Sequence, residues 1–127
     1  MTITASRPVA LVVEDDWLRR IDIVQELEQE GWTVLAAEAA EAALDLLQAG
    51  YPIDILVTDV QLGAGPSGWD LAEACRAKVA DLPVIYVSGD TGDRSRQVPG
   101  SRFFDKPCPV SQVANACRDF GWRTATS

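Results

Sequence analysis

The sequence predicts an α/β fold, a doubly wound parallel sheet with helices on both faces, and three features carry that reading. Short β-branched apolar runs recur along the chain, uniformly apolar as strands covered on both faces must be. Segments whose apolar residues return every three or four positions alternate with them. Short joints containing Gly or Pro separate the two kinds of segment, and strands alternating with helices in this way are parallel and joined by right-handed crossovers.

Residues 7–13 form the first strand, and Glu14-Asp15-Asp16 follows it at once. Trp17, Leu18, Ile21, Val24 and Leu27 mark the packing face of a helix over 17–30, which Asp15 or Asp16 caps and Gly31 ends. Residues 32–37 make a second strand, and 41–48 a second helix stopped by Gly50 and Pro52. The third strand, 53–59, also finishes in a carboxylate, that of Asp59. After the loop Gly63-Ala64-Gly65-Pro66-Ser67-Gly68, a third helix aligns Leu71, Ala74, Cys75 and Val79. Residues 83–87 and 101–104 are the fourth and fifth strands, and Val110, Val113, Ala114, Cys117 and Phe120 line a last helix closed by Gly121.

One stretch breaks the alternation. Residues 89–100 lie where a fourth crossover helix belongs, yet Val98 is their only sizeable apolar residue, and glycines and a proline lower helix propensity further. That helix is expected to be absent, short or mobile.

With 127 residues, the chain reads as one domain over 1–127, its core at about 7–122 and residues 1–6 and 123–127 as loose ends. No apolar run reaches the ~18 residues of a membrane span, and the start lacks a secretory signal, so the cytoplasm is the expected location. Eleven basic against 19 acidic residues leave a net charge of −8, which disfavours nucleic acid as a partner. The chain contains no His, which excludes histidine triads and histidyl phosphate chemistry on this chain. Cys75, Cys108 and Cys117 form no CxxC pair, and Cys75 and Cys117 fall on apolar helix positions as small buried hydrophobes.

Glu14, Asp15, Asp16, Asp59, Ser88 and Lys106 all fall at carboxyl ends of predicted strands, where parallel sheets gather ligands. Two carboxylates about 5 Å apart repel by roughly 3 kcal/mol at an effective dielectric near 20, so a cation must join them. Oxygen ligands suit Mg²⁺ or Mn²⁺. An acid at a strand end can instead be a helix cap, the reading preferred for Asp16.

The segments Leu11-Val12-Val13-Glu14-Asp15-Asp16, Thr58-Asp59-Val60-Gln61-Leu62, Gly68-Trp69-Asp70-Leu71-Ala72, Pro83-Val84-Ile85-Tyr86-Val87-Ser88-Gly89 and Phe103-Phe104-Asp105-Lys106-Pro107 together resemble the receiver domain of two-component response regulators. The resemblance implies a flavodoxin-like, five-stranded parallel sheet in the order 2-1-3-4-5. It implies Asp59 as phosphoacceptor, Glu14 and Asp15 as metal-binding acids, Ser88 as switch hydroxyl, Lys106 as the phosphoryl contact and Phe103 as switch aromatic. The backbone carbonyl of Gln61 could complete the metal site, and Ser88 could turn inward after phosphoryl transfer, opening space for Phe103. A cis peptide before Pro107 is commonly found in such domains. Trp17, although assigned to helix packing, lies near enough to the acids in sequence to report metal binding.

The implied activity is that of a stand-alone receiver, or one excised from a larger hybrid kinase. It takes a phosphoryl group from a histidine kinase or phosphotransfer protein and signals to an unidentified effector protein. It catalyses only its own phosphorylation and dephosphorylation. Ser88 and Lys106 are 18 positions apart, about one helical turn fewer than is usual in such domains, so the face often used for effector docking or homodimerisation is altered. The rivals are a Mg²⁺-dependent phosphatase or phosphotransferase, a pseudo-receiver that binds partners without phosphorylation, and a flavodoxin-like nucleotide binder. The first lacks an acid at Gln61, the second leaves the acids and Lys106 without use, and the third lacks a Gly-rich turn after the first strand.

Overall fold

The computed structural model describes residues 7–89 and 92–125. The elements are β1 (Val9–Val13), α1 (Trp17–Gln29), β2 (Thr33–Ala37), α2 (Ala40–Gln48), β3 (Ile55–Thr58), α3 (Gly68–Lys78), β4 (Val84–Ser88), β5 (Arg102–Asp105) and α4 (Val110–Ala125). The five strands are parallel in the order β2-β1-β3-β4-β5. That is the doubly wound, flavodoxin-like sheet.

The alternation of strand side chains divides the core between the two faces. Leu11, Val13, Leu56, Val84 and Tyr86 point toward α2 and α3, where they meet Ala43, Leu47, Leu71 and Cys75. Ala10, Val12, Ile55, Val57, Ile85 and Val87 pack on Ile23, Leu27, Val113 and Cys117 of α1 and α4. Full burial of each large aliphatic side chain contributes about 1.5–3 kcal/mol, which commits the sheet to this register. Trp32 is wholly buried on the second face, and its indole Nε1 has no hydrogen-bond partner among the described residues.

Three expectations need correction. Trp17 and Leu18 do not pack against the sheet: both are 61% exposed, and Ile23 with Leu27 forms the buried face of α1. Gly121 does not close the last helix, which continues to Ala125 and so takes in residues 123–125, read as loose. Glycine stops a helix by adopting a positive φ, whereas Gly121 lies inside the helical span, where a glycine costs only about 1 kcal/mol. Residues 1–6, 126 and 127, also read as loose, lie outside the described residues.

No helix forms among the described residues between β4 and β5. Residues 92–101 instead run as a series of turns, with Val98 buried against the first core face. Polar contacts supply the remaining attachment. Val98 N–H donates to the Tyr86 hydroxyl, Arg76 of α3 donates to the Pro99 carbonyl, and Arg96 pairs with Asp70 and Glu73 of α3.

Candidate functional site

Parallel pairing sets the carboxyl ends of the central strands side by side, with Val13 opposite Thr58 and Ser88 opposite Asp105. The residues that end or follow those strands, Glu14, Asp59, Ser88 and Lys106, therefore converge. Asp59 is 6% exposed and Glu14 2%. Asp59 Oδ1 accepts from Ser88 Oγ at 2.7 Å and from the Gln61 N–H at 3.1 Å, while Oδ2 accepts from Lys106 Nζ at 2.7 Å. Lys106 Nζ also lies 3.0 Å from Glu14 Oε1, so one ammonium joins two buried carboxylates. The peptide bond between Lys106 and Pro107 is cis.

Burial pushes the Glu14 carboxyl above its ordinary range, opposed by hydrogen bonds from Lys106 and the Asp16 N–H. For Lys106, burial favours loss of the proton, but hydrogen bonds to Asp59 and Glu14 outweigh it and hold the ammonium above its ordinary value. The site therefore keeps its cation while two acids compete for it.

Asp15 is exposed at the mouth, and one carboxylate oxygen from each of Glu14, Asp15 and Asp59 lies within 4.8 Å of the others. Three hard oxygen donors, two buried and the third exposed to solvent, fit a divalent cation such as Mg²⁺, which retains several waters. Asp16 is the helix cap, its side chain accepting from the N–H groups of Leu18 and Arg19. Gln61 is exposed beside Asp59, and a cavity of about 460 Å³ opens between Gln61, Gly65, Trp69 and Arg96.

The Ser88 hydroxyl faces the acid, donating to its carboxylate at 2.7 Å. Phe103 is half-buried with Trp69 and Tyr86, its ring centroid 6.1 Å and 6.0 Å from theirs. Two contributors escaped sequence reasoning. Arg20 donates to the Glu14 carbonyl at 2.8 Å and braces the acidic turn; its signal was a basic pair one helical turn after the acids. Gly68 packs directly on the Asp59 backbone, a close approach that only its lack of a side chain permits.

A family profile described as the response regulator receiver domain matches residues 10–118. The chain belongs to the response regulator receiver family. Among solved structures, a response regulator receiver protein from Sinorhizobium medicae is 28% identical with a TM-score of 0.86, over 90% of this chain and 94% of that one. A receiver protein from Pseudomonas putida is 30% identical with a TM-score of 0.77, over 91% and 99% of the two chains. Among curated proteins, the sensor kinase CckA of Brucella abortus is 31% identical over 86% of this chain and 12% of its own length. A probable transcriptional regulatory protein from Picosynechococcus is 28% identical over 85% of this chain and 47% of its own. The chain thus spans half or less of these curated relatives. Receivers are signalling modules of two-component systems, generally not enzymes acting on separate substrates. No helix among the described residues is long and apolar enough to cross a membrane.

Proposed function

We propose that this receiver is a phosphoaspartate switch in which Asp59 accepts a phosphoryl group from the phosphohistidine of a kinase or phosphotransfer protein. An Asp59 carboxylate oxygen attacks phosphorus, the P–N bond breaks as the P–O bond forms, and the imidazole nitrogen departs with the bonding electrons. Glu14, Asp15 and Asp59 would hold Mg²⁺ or Mn²⁺, with the Gln61 carbonyl as a further oxygen donor. The bound ion would neutralise charge on the phosphoryl oxygens. Lys106 adds a second positive charge, and Ser88 donates a hydrogen bond to the modified group. The resulting change at the surface is read by an effector protein, and the cytoplasm is the compartment in which a histidine kinase would meet the chain.

The supporting observation is the shared hold on Asp59, one oxygen bonded by Ser88 and the other by Lys106, beside two further acids. Gln61 supplies no acid two residues after Asp59, which weighs against turnover of small phosphate esters. Incubation with Mg²⁺ and a small acyl phosphate is expected to add one phosphoryl group, which peptide mapping places on Asp59 and Asp59→Asn abolishes. An adduct mapped to another residue would overturn the reading.

A further inference from the structure

The segment 92–101 stands where a crossover helix is missing, and its attachments are unusual. On α3 it is fixed by Arg96, whose guanidinium meets Asp70 at 2.7 Å and Glu73 at 2.8 Å. On β5 it is fixed by Arg94, which pairs with Asp105 at 2.6 Å and lies over the Phe103 ring, 3.8 Å from its centroid. Val98 contributes the single buried apolar contact. The arginines and their acids are 42–67% exposed at the side chain, so these ion pairs are weak and screened by salt.

The strands on either side of this segment lead to the two oxygens of one carboxylate. β4 ends at Ser88, which bonds Asp59 Oδ1; β5 ends at Asp105, and the next residue, Lys106, bonds Oδ2. The Lys106 N–H also donates to the Ser88 carbonyl at 2.8 Å, tying the two strand ends together. A phosphoryl group on either oxygen must displace one of those bonds. Arg94 holds Phe103 and Asp105, the latter adjoining the lysine that must adjust.

We propose that residues 92–101 are an ion-paired strap over the Trp69, Tyr86 and Phe103 rings, and that Arg94 is the clasp by which phosphorylation of Asp59 releases it. This inference rests on the phosphoaspartate reading above. As Lys106 follows the phosphoryl oxygens, Asp105 shifts relative to Arg94. The paired and stacked guanidinium loses its geometry, and the segment lifts from the aromatic rings.

Hydrogen–deuterium exchange of peptides covering 92–101 tests it, with the phosphoryl adduct measured by mass in the same samples. In wild type, exchange there should rise about fivefold on phosphorylation, and by a similar factor on adding salt to the unphosphorylated protein, with the central strands unchanged. Arg94→Met should exchange fast before phosphorylation and show no further rise; Arg94→Lys should recover part of the response. A purely structural arginine would raise exchange equally in both states and leave the response intact, which would overturn the proposal. An adduct on Asp59 with unchanged exchange would overturn the strap while sparing the phosphoaspartate reading. Failure of the adduct itself would remove both.

Discussion

A Cβ built on Gly68 would stand 2.0 Å from the carbonyl oxygen of Asp59. The first residue of α3 therefore rests on the backbone of the buried acid, and the Gly68 N–H donates to the neighbouring Val60 carbonyl at 2.8 Å. Gly68→Ala is expected to destabilise the fold by about 3 kcal/mol, the upper range for overpacking, because rigid backbone must move. Urea denaturation measures it; a loss under about 0.5 kcal/mol would mean that the approach relaxes freely.

Removing Lys106 leaves Glu14 and Asp59 facing each other without their shared ammonium. Lys106→Met should destabilise the protein in chelator by about 2–3 kcal/mol, a little below the usual cost of breaking a buried pair because the lysine is partly exposed. Mg²⁺ should restore more stability to this variant than to wild type, which denaturation with and without the ion would show.

Burial pushes the thiols of Cys75 and Cys117 up, to about 11 and about 12. Neither is a thiolate near neutral pH, and neither is accessible. A thiol reagent should label them only as fast as the protein unfolds; immediate labelling of the native protein would contradict the packing of α3 and α4.

Asp70 is held below its ordinary range by the Arg96 guanidinium, and further by the Ser67 N–H of the α3 capping box. A carboxylate with a depressed native pKa binds protons less readily in the folded state. Its stabilising contribution is complete above the ordinary value of 3.8 and fades as pH falls below it. Exchange at 92–101, after correction for the intrinsic rate, should accelerate over that acid range, and Asp70→Asn should remove that part of the acceleration. The exposed ion pair makes the effect small.

The sheet was legible because both-face burial leaves unmistakable apolar runs, and order among parallel strands brings Glu14, Asp59, Ser88 and Lys106 to one edge. Asp16 as a cap was legible from local chemistry. The packing face of α1 was not, since periodicity cannot tell which of the apolar positions along a helix the sheet covers, and Trp17 is exposed. Nor could local composition show that Gly121 stays helical, or that arginines attach residues 92–101. Those outcomes depend on partners distant in sequence. Gly68 belongs with them, as its necessity lies in Asp59 rather than in its own loop.

The Trp32 indole, without a hydrogen-bond partner among the described residues, gives the second core layer a private clock. Its ring proton can meet solvent only when the cover over this layer opens, and Trp32 precedes β2, at the opposite end of the strands from Glu14 and Asp59. The deuterium uptake of that one nitrogen would time the breathing of this layer, whatever group Asp59 carries.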